Sequence, residues 1–271
     1  ALMEVKPGNT IAVIADIHGN SLALNAVLDD VAANGGADAY WFLGDYFAIG
    51  HDPLGVIRIL DGVENATFIR GNTDRFVADG SLPWPNQNNV IENPELLSQY
   101  VSVARSFAWT TGALGASGKL DWCRELPLDF QTAFPDGTKV LAVHASPGED
   151  DGDGVHLGLS DAELSVLVSD AGADLVLVGH THFPQDRLVS GIRVASPGSV
   201  SNPLPPDLRA KYVTIELRSD GYDLQFHQVD YDRDEIVQAA KAVNHPASEY
   251  IAVFMEGKRV PEWLKRYLSE D

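Results

Sequence analysis

An α/β fold built on parallel strands is predicted by two features of the chain. Short apolar runs alternate with helical periods, and from Thr10 to Arg70 the order reads β-α-β-α-β. Thr10–Ala15 (TIAVIA) is a continuous apolar run, as a strand covered on both faces should be. From Ser21 the period becomes helical: Leu24, Val27, Leu28, Val31 and Ala32 form one stripe, with Asn20 or Ser21 able to cap its start and Gly35-Gly36 able to end it. Ala39–Leu43 reads as strand, Pro53–Leu60 as a short helix and Ala66–Arg70 as strand. Pro83–Asn89 is a loop by composition, and Glu95–Trp109 and Lys119–Glu125 read as helices. Phe130–Phe134 and Lys139–Val143 flank Pro135-Asp136-Gly137 as a hairpin. Asp161–Ala171 is helical and Asp174–Val178 is a buried strand. Ser190-Gly191 and Ser219-Asp220-Gly221 mark further hairpins, the second between Lys211–Leu217 and Tyr222–Val229, and Asp234–Val243 and Glu262–Leu268 read as helices.

Composition narrows the function. The 271 residues are read as one domain, with a helical excursion near 83–126 and an antiparallel tail near 186–271. A net charge of −20 argues against non-specific binding to nucleic acid or to an anionic membrane. The single cysteine, Cys123, excludes an internal disulfide framework and any site made of several thiolates. No apolar run reaches the roughly 18 residues of a spanning helix, and Ala1-Leu2-Met3-Glu4 lacks the features of a signal peptide. The expected setting is the cytoplasm, and a homo-oligomer is neither required nor excluded.

The chemistry sits directly after the apolar runs. They are followed by Asp16-Ile17-His18-Gly19-Asn20, by Gly44-Asp45, by Gly71-Asn72-Thr73-Asp74, by His144, and by Gly179-His180-Thr181-His182. Ligand sites of open α/β sheets lie at the carboxyl ends of strands, so these groups can converge. Asp16, His18, Asp45, Asn72, His144, His180 and His182 form an oxygen and nitrogen set suited to Mn, Fe, Co, Ni or Zn, manganese first. Seven ligands are too many for one tetrahedral ion and suit two ions about 3.5–4 Å apart. Two divalent ions, offset by Asp16, Asp45 and a bridging hydroxide, leave a net charge of about +1, which attracts a phosphate ester despite the acidic chain. The hydroxide is the expected nucleophile.

This ordered set resembles the calcineurin-like metallophosphoesterases. Asp16–Asn20 (DIHGN), Gly44–Pro53 (GDYFAIGHDP) and Ser196–Val200 (SPGSV) look like the small bacterial and archaeal branch. The resemblance implies a four-layer αββα sandwich of two mixed sheets flanked by helices. It implies that Asp16, His18 and His182 hold one metal, that Asn72, His144 and His180 hold the other, and that Asp45 bridges. The implied activity is hydrolysis of phosphodiesters or phosphomonoesters, with a small nucleotide-like phosphate as substrate. Alternatives are a protein or dinucleoside-polyphosphate phosphatase, or a catalytically silent scaffold on the same fold. A two-metal amidohydrolase would want His-x-His after the first strand and more parallel repeats.

Other residues admit plainer roles. Asp74 is a candidate in the catalytic group that supports Asn72 or Thr73 from behind or caps a helix. His51, after Asp45, is a candidate general acid. Arg75 reads as solvated rather than substrate-bound, His156 as a rim residue in an acidic glycine-rich loop, His227 and His245 as surface, and Cys123, Trp41 and Phe42 as core. That loop, Glu149–Gly154, lacks the closing Glu of a calcium loop. Pocket walls are expected from Phe47–Pro53, Asn86–Tyr100, Glu149–His156 and Val200–Asp207.

One departure from the family pattern has a kinetic consequence. Many members carry His after the motif Asn, where it assists the leaving group; here the residue is Thr73, which donates a hydrogen bond but is no acid near pH 7. Good leaving groups and diesters should therefore be favoured over weakly activated alkyl monoesters. The rate with manganese, plotted against leaving-group pKa, should fall steeply; a slope as shallow as that of a His-bearing relative would contradict this.

Overall fold

The computed structural model describes residues 4–269, so the start read for a leader lies outside the described residues. Five strands form the first sheet: β1 (Thr10–Ile14), β2 (Ala39–Phe42), β3 (Ala66–Phe68), β9 (Ala210–Leu217) and β10 (Tyr222–Val229). Its order is β10-β9-β1-β2-β3. The three strands read from the first βαβαβ segment are parallel, with Ile11 opposite Ala39 and Tyr40 opposite Ala66. β9 runs antiparallel to β1, and β10 antiparallel to β9.

The second sheet holds β4 (Asp129–Ala133), β5 (Lys139–Val143), β6 (Leu175–Leu177), β7 (Pro184–Val189) and β8 (Ile192–Pro197), in the order β4-β5-β6-β8-β7. β5, β6 and β8 are mutually parallel, while β4 and β7 are antiparallel at the two edges. The expected antiparallel tail is therefore divided. Its first hairpin joins the second sheet, with β8 parallel to β6, and its second joins the first sheet.

The side-chain alternation of β1 explains the layers. Ile11, Val13 and Ala15 point between the sheets, where they meet Trp41, Leu43, Phe130, Val140, Leu175, Leu177 and Val213. Trp41 contacts Phe130 edge-on at 5.0 Å, coupling β2 to the second sheet. Ala12 and Ile14 point the other way, onto Ala23, Leu24, Val27 and Val31 of α1 (Ser21–Ala33) and onto α2 (Pro53–Leu60). On the far face of the second sheet, Leu141, Val143, Val176 and Val178 pack on Leu164 of α7 (Asp161–Leu167). The result is the four-layer αββα sandwich of two mixed sheets. Trp41, Phe42 and Cys123 are core residues, as read.

The excursion contains α3 (Asn72–Asp79), α4 (Gln87–Glu92), a 3-10 turn at Pro94–Leu96, α5 (Leu97–Ala116) and α6 (Leu120–Glu125). α5 outlasts its predicted end at Trp109, and its two glycines, Gly112 and Gly115, sit where an added Cβ would meet open space. The C-terminal part holds α8 (Arg233–Ala242), α9 (Ser248–Met255) and α10 (Glu262–Ser269). α9 escapes the sequence pattern: its N-cap, Ala247, makes no side-chain cap bond, and the helix is held by packing of Ile251, Phe254 and Met255 on Leu204, Ile236 and Leu264.

Of the two histidines read as surface, His245 is buried and His227 half-buried. His245 is buried edge-on against Trp109 at 4.5 Å, and His227 stacks on Tyr212 at 4.5 Å while sharing a 2.7 Å hydrogen bond with Thr214 Oγ1. No helix among the described residues is long and apolar enough to cross a membrane.

Candidate metal centre

The carboxyl ends of β1, β2, β5 and β6, and the start of α3 after β3, all open on one cleft. The loops there are tied to one another by backbone bonds. Asp16 N donates to Gly44 O, Gly179 N to His144 O, and Val200 N and Ser201 N to the carbonyls of Ala15 and Asp16. The SPGSV segment thus bridges the two sheets beneath the site.

The backbone is unusual where the candidate ligands sit. Asp16, His18, Asp45, His180 and His182 all have φ between 46 and 68°, the left-handed region that non-glycine residues rarely occupy. Five such residues at one locus are the kind of stored strain that collects at functional sites. Close packing demands glycine beside them: a Cβ on Gly71 would lie 2.1 Å from Asp45 Oδ1, and one on Gly44 would lie 2.8 Å from His144 Nδ1.

Three imidazoles are oriented alike. His18 Nδ1 lies 2.9 Å from Ala48 O, His144 Nδ1 2.6 Å from Leu43 O and His182 Nδ1 2.8 Å from Asn202 O. A carbonyl only accepts, so each Nδ1 carries the proton and each Nε2 of a neutral ring presents a lone pair to the cleft. This is how metal-ligating histidines are held. His180 is reversed: its Nε2 donates to Gly152 O at 2.8 Å, which leaves Nδ1 as its bare nitrogen, while its ring lies 5.2 Å from that of His144.

The lone pairs and carboxylates then crowd together. His18 Nε2 is 3.0 Å from His182 Nε2. His18 Nε2 is 3.6 Å from Asp45 Oδ2, and His144 Nε2 is 3.5 Å from Asp45 Oδ1, so the two oxygens of Asp45 face different histidines. Asp16 Oδ1 is 3.6 Å from His182 Nε2 and 4.0 Å from His144 Nε2. Two groups could each hold a metal ion: Asp16, His18 and His182, and Asp16, Asp45 and His144, each with ligand atoms within 4.8 Å of one another. Asn72 lines the same cleft with its Oδ1 buried and unpartnered, and His144 Nε2 is likewise buried without a partner.

The electrostatics favour a cation. Burial pushes the Asp16 carboxyl well above its usual range, and the neighbouring Asp45 adds to this. Burial opposes charge on His144, yet the Asp45 carboxylate outweighs it and holds the imidazole up to about 10. Burial and then His18 push His182 down to about 3. Burial lowers His18 and His180 too. Without a metal the balance is kept by protons on Asp16 and His144, while His18, His180 and His182 resist protonation; divalent ions binding among these groups would take the place of those protons.

The remaining candidates divide. Asp74 lies behind the cleft, not in it. Its carboxylate accepts from the amides of Asp45 (2.7 Å), Tyr46 (2.9 Å) and Gly71 (2.9 Å), so it supports the Asp45 turn rather than Asn72 or Thr73. His51 does not line the cleft; burial lowers its pKa, and the charges it feels are Asp52 and Glu235 on the α8 side, so the general-acid reading loses its geometry. Thr73 lines the cleft with a buried, unpartnered hydroxyl. Arg75, read as solvated, pairs with Asp150 and Asp151 at 3.0 and 3.1 Å, and Arg70 pairs with Asp150 at 2.6 Å. Asp151 also accepts from Asn72 Nδ2 at 3.3 Å, which ties the acidic loop to the candidate ligand. His156 does rim the cleft. Of the expected walls, 86–100 contributes nothing; Tyr250, Phe254, Arg259 and Trp263 stand there instead. Of those four only Trp263 falls in a helix legible in the sequence, and their meeting at the cleft depends on how the last helices fold back.

The family model of the calcineurin-like phosphoesterases matches residues 10–184. The chain belongs to that family. An uncharacterized protein of Methanocaldococcus jannaschii is 26% identical, over 94% of this chain and 95% of its own. The crystal structure of a metallophosphoesterase from Sphaerobacter thermophilus, 25% identical, aligns with a TM-score of 0.70 over 92% of this chain and 99% of that one. A hypothetical protein from Pyrococcus horikoshii, 22% identical, shares the fold with a TM-score of 0.73 over 90% and 97%.

Within this phosphoesterase fold, Asp74 gives a direct test of how the site is held. In Asp74→Asn the amide nitrogen replaces one acceptor and faces a backbone N–H. Losing hydrogen bonds to a buried charge should destabilise the fold by about 1.5–3 kcal/mol in denaturant unfolding. Affinity for manganese, read by calorimetry, should fall about 10- to 100-fold as Asp45 loses its support. Unchanged metal affinity would show that Asp74 does not position Asp45.

Proposed function

We propose that this chain is a dinuclear metal-dependent phosphoesterase that hydrolyses phosphodiester or phosphomonoester bonds of small nucleotide-like phosphates, with manganese as its working metal. The observation that carries the reading is the 3.0 Å approach of His18 Nε2 to His182 Nε2. Both Nδ1 protons are committed to carbonyls, so two lone pairs face each other unless a positive charge lies between them.

The residues fit two cations. Asp16, His18 and His182 would hold one, and Asn72, His144 and His180 the other, with Asp45 offering one oxygen to each side. Divalent ions bound there supply a nucleophile from water near neutral pH and a counter-charge for the phosphoryl oxygens. The protein's own part is positional. The Leu43, Ala48 and Asn202 carbonyls fix three imidazoles by Nδ1, and Asp74 fixes the Asp45 turn. Thr73 N–H donates to Asp45 Oδ1 at 2.9 Å, which leaves its hydroxyl available to donate to a substrate oxygen. A silent scaffold gains no support from a set in which every strand end keeps its polar group.

Hydrolysis of bis-p-nitrophenyl phosphate tests the reading. Turnover is expected with manganese, is lost with a chelator, and is restored by adding metal. Asp45→Asn should lose bound metal and activity together. No turnover with any divalent metal would overturn the proposal, and full activity in Asp45→Asn would overturn the bridging role.

A further inference from the structure

The cleft has a wall that the candidate metal ligands do not use. It is built by Tyr250 and Phe254 on α9, by Arg259 between α9 and α10, and by Trp263 on α10. All four lie beyond the 10–184 span of the family model. The Phe254 ring is 6.1 Å from the His182 ring, so this aromatic surface adjoins the Asp/His cluster. At its other end Trp263 stacks on His156 at 5.4 Å and 24°, which joins α10 to the acidic loop at the rim of the cleft. The cleft has a volume of about 400 Å³, the scale of a small-molecule site.

Two side chains on this wall lack partners that would explain them structurally. Tyr250 is 43% exposed and meets Phe254 edge-on at 5.1 Å; among the described residues no other ring or cation packs on it. Arg259 is exposed and has no carboxylate partner among the described residues; Arg58 and Arg105 are likewise exposed and unpaired, but neither lines the cleft. Among the described residues it is the one arginine or lysine lining the cleft, in a chain of net charge −20, and Asp153 is the carboxylate of the acidic loop that lines it with Arg259. An anion-seeking floor, an aromatic side wall and a free guanidinium suit a ligand that is both anionic and planar. A sugar phosphate would leave the aromatic wall in water. A nucleic-acid strand would meet a strongly acidic protein of net charge −20.

We propose that the α9–α10 hairpin is the specificity element of this site and that it selects nucleoside phosphates. The phosphate lies over the Asp/His cluster, the heteroaromatic base stacks on Tyr250, and Arg259 meets the ester's negative charge at the cleft mouth. This rests on the phosphoester reading above and adds the residues that choose the substrate.

The test is calorimetric binding of 5′-AMP and of ribose 5-phosphate to the full, manganese-loaded chain in the cold, with released phosphate monitored. AMP should bind about fivefold or more tighter than ribose 5-phosphate, the range expected for one base stacked on one aromatic ring. Tyr250→Ala should bring AMP down to the ribose 5-phosphate value, and Tyr250→Phe should keep the difference. Arg259→Gln should weaken both ligands alike and flatten the salt dependence of binding. Both positions are exposed, and circular dichroism of each variant is the check that it folds. Equal affinity for the two ligands in the unaltered protein, or equal weakening of both by Tyr250→Ala, would overturn the proposal. A base preference without hydrolysis under any metal would sink the phosphoesterase reading and leave this one standing; hydrolysis without a base preference would do the reverse.

Discussion

The site depends on a crowding of carboxylates and ring nitrogens that the protein by itself balances only with protons on Asp16 and His144. Asp16 and Asp45 are both nearly inaccessible to solvent, and His18, His144 and His182 aim the same ring nitrogen into the space between them. Burying unpaired charge is expensive, so a fold that gathers these groups must be held together elsewhere and must accept positive charge where they meet.

Elsewhere means the two-sheet core and the backbone ties across it. Trp41 and its neighbours fix the sheets against each other, and the amides of Val200 and Ser201 donate to the carbonyls of Ala15 and Asp16. With the sheets fixed, turns at three strand ends can be forced into left-handed backbone at Asp16, His18, Asp45, His180 and His182. Gly44 and Gly71 let the turns after β2 and β3 touch. The carboxylate of Asp74 gathers three amides beneath Asp45, a local rigid base for a residue whose two oxygens face two different histidines.

Much of this was legible in the sequence, for a physical reason. A strand covered on both faces must be apolar throughout, so TIAVIA and DLVLV announced themselves, and the residues that ended each run were the polar groups of the site. Neighbour relations were less legible. β8 lies parallel to β6 because the chain crosses over before β7, which the hairpin signal at Ser190-Gly191 does not reveal. Arg75 looks like any helix-start arginine until the Asp150–Asp151 loop, far away in sequence, is folded against it. His51 follows Asp45 closely in sequence and still faces α8, because the chain turns away through the Asp52 cap of α2. The wall formed by Tyr250, Arg259 and Trp263 depends on how the C-terminal helices pack, and no local pattern encodes that.

The most direct test of the account is an anomalous diffraction map from crystals of this chain grown with manganese, recorded on both sides of the metal's absorption edge. The account predicts two peaks, one bounded by Asp16, His18 and His182, the other by Asn72, His144 and His180, with Asp45 reaching both. An empty cleft, or manganese bound only away from these residues, would contradict it.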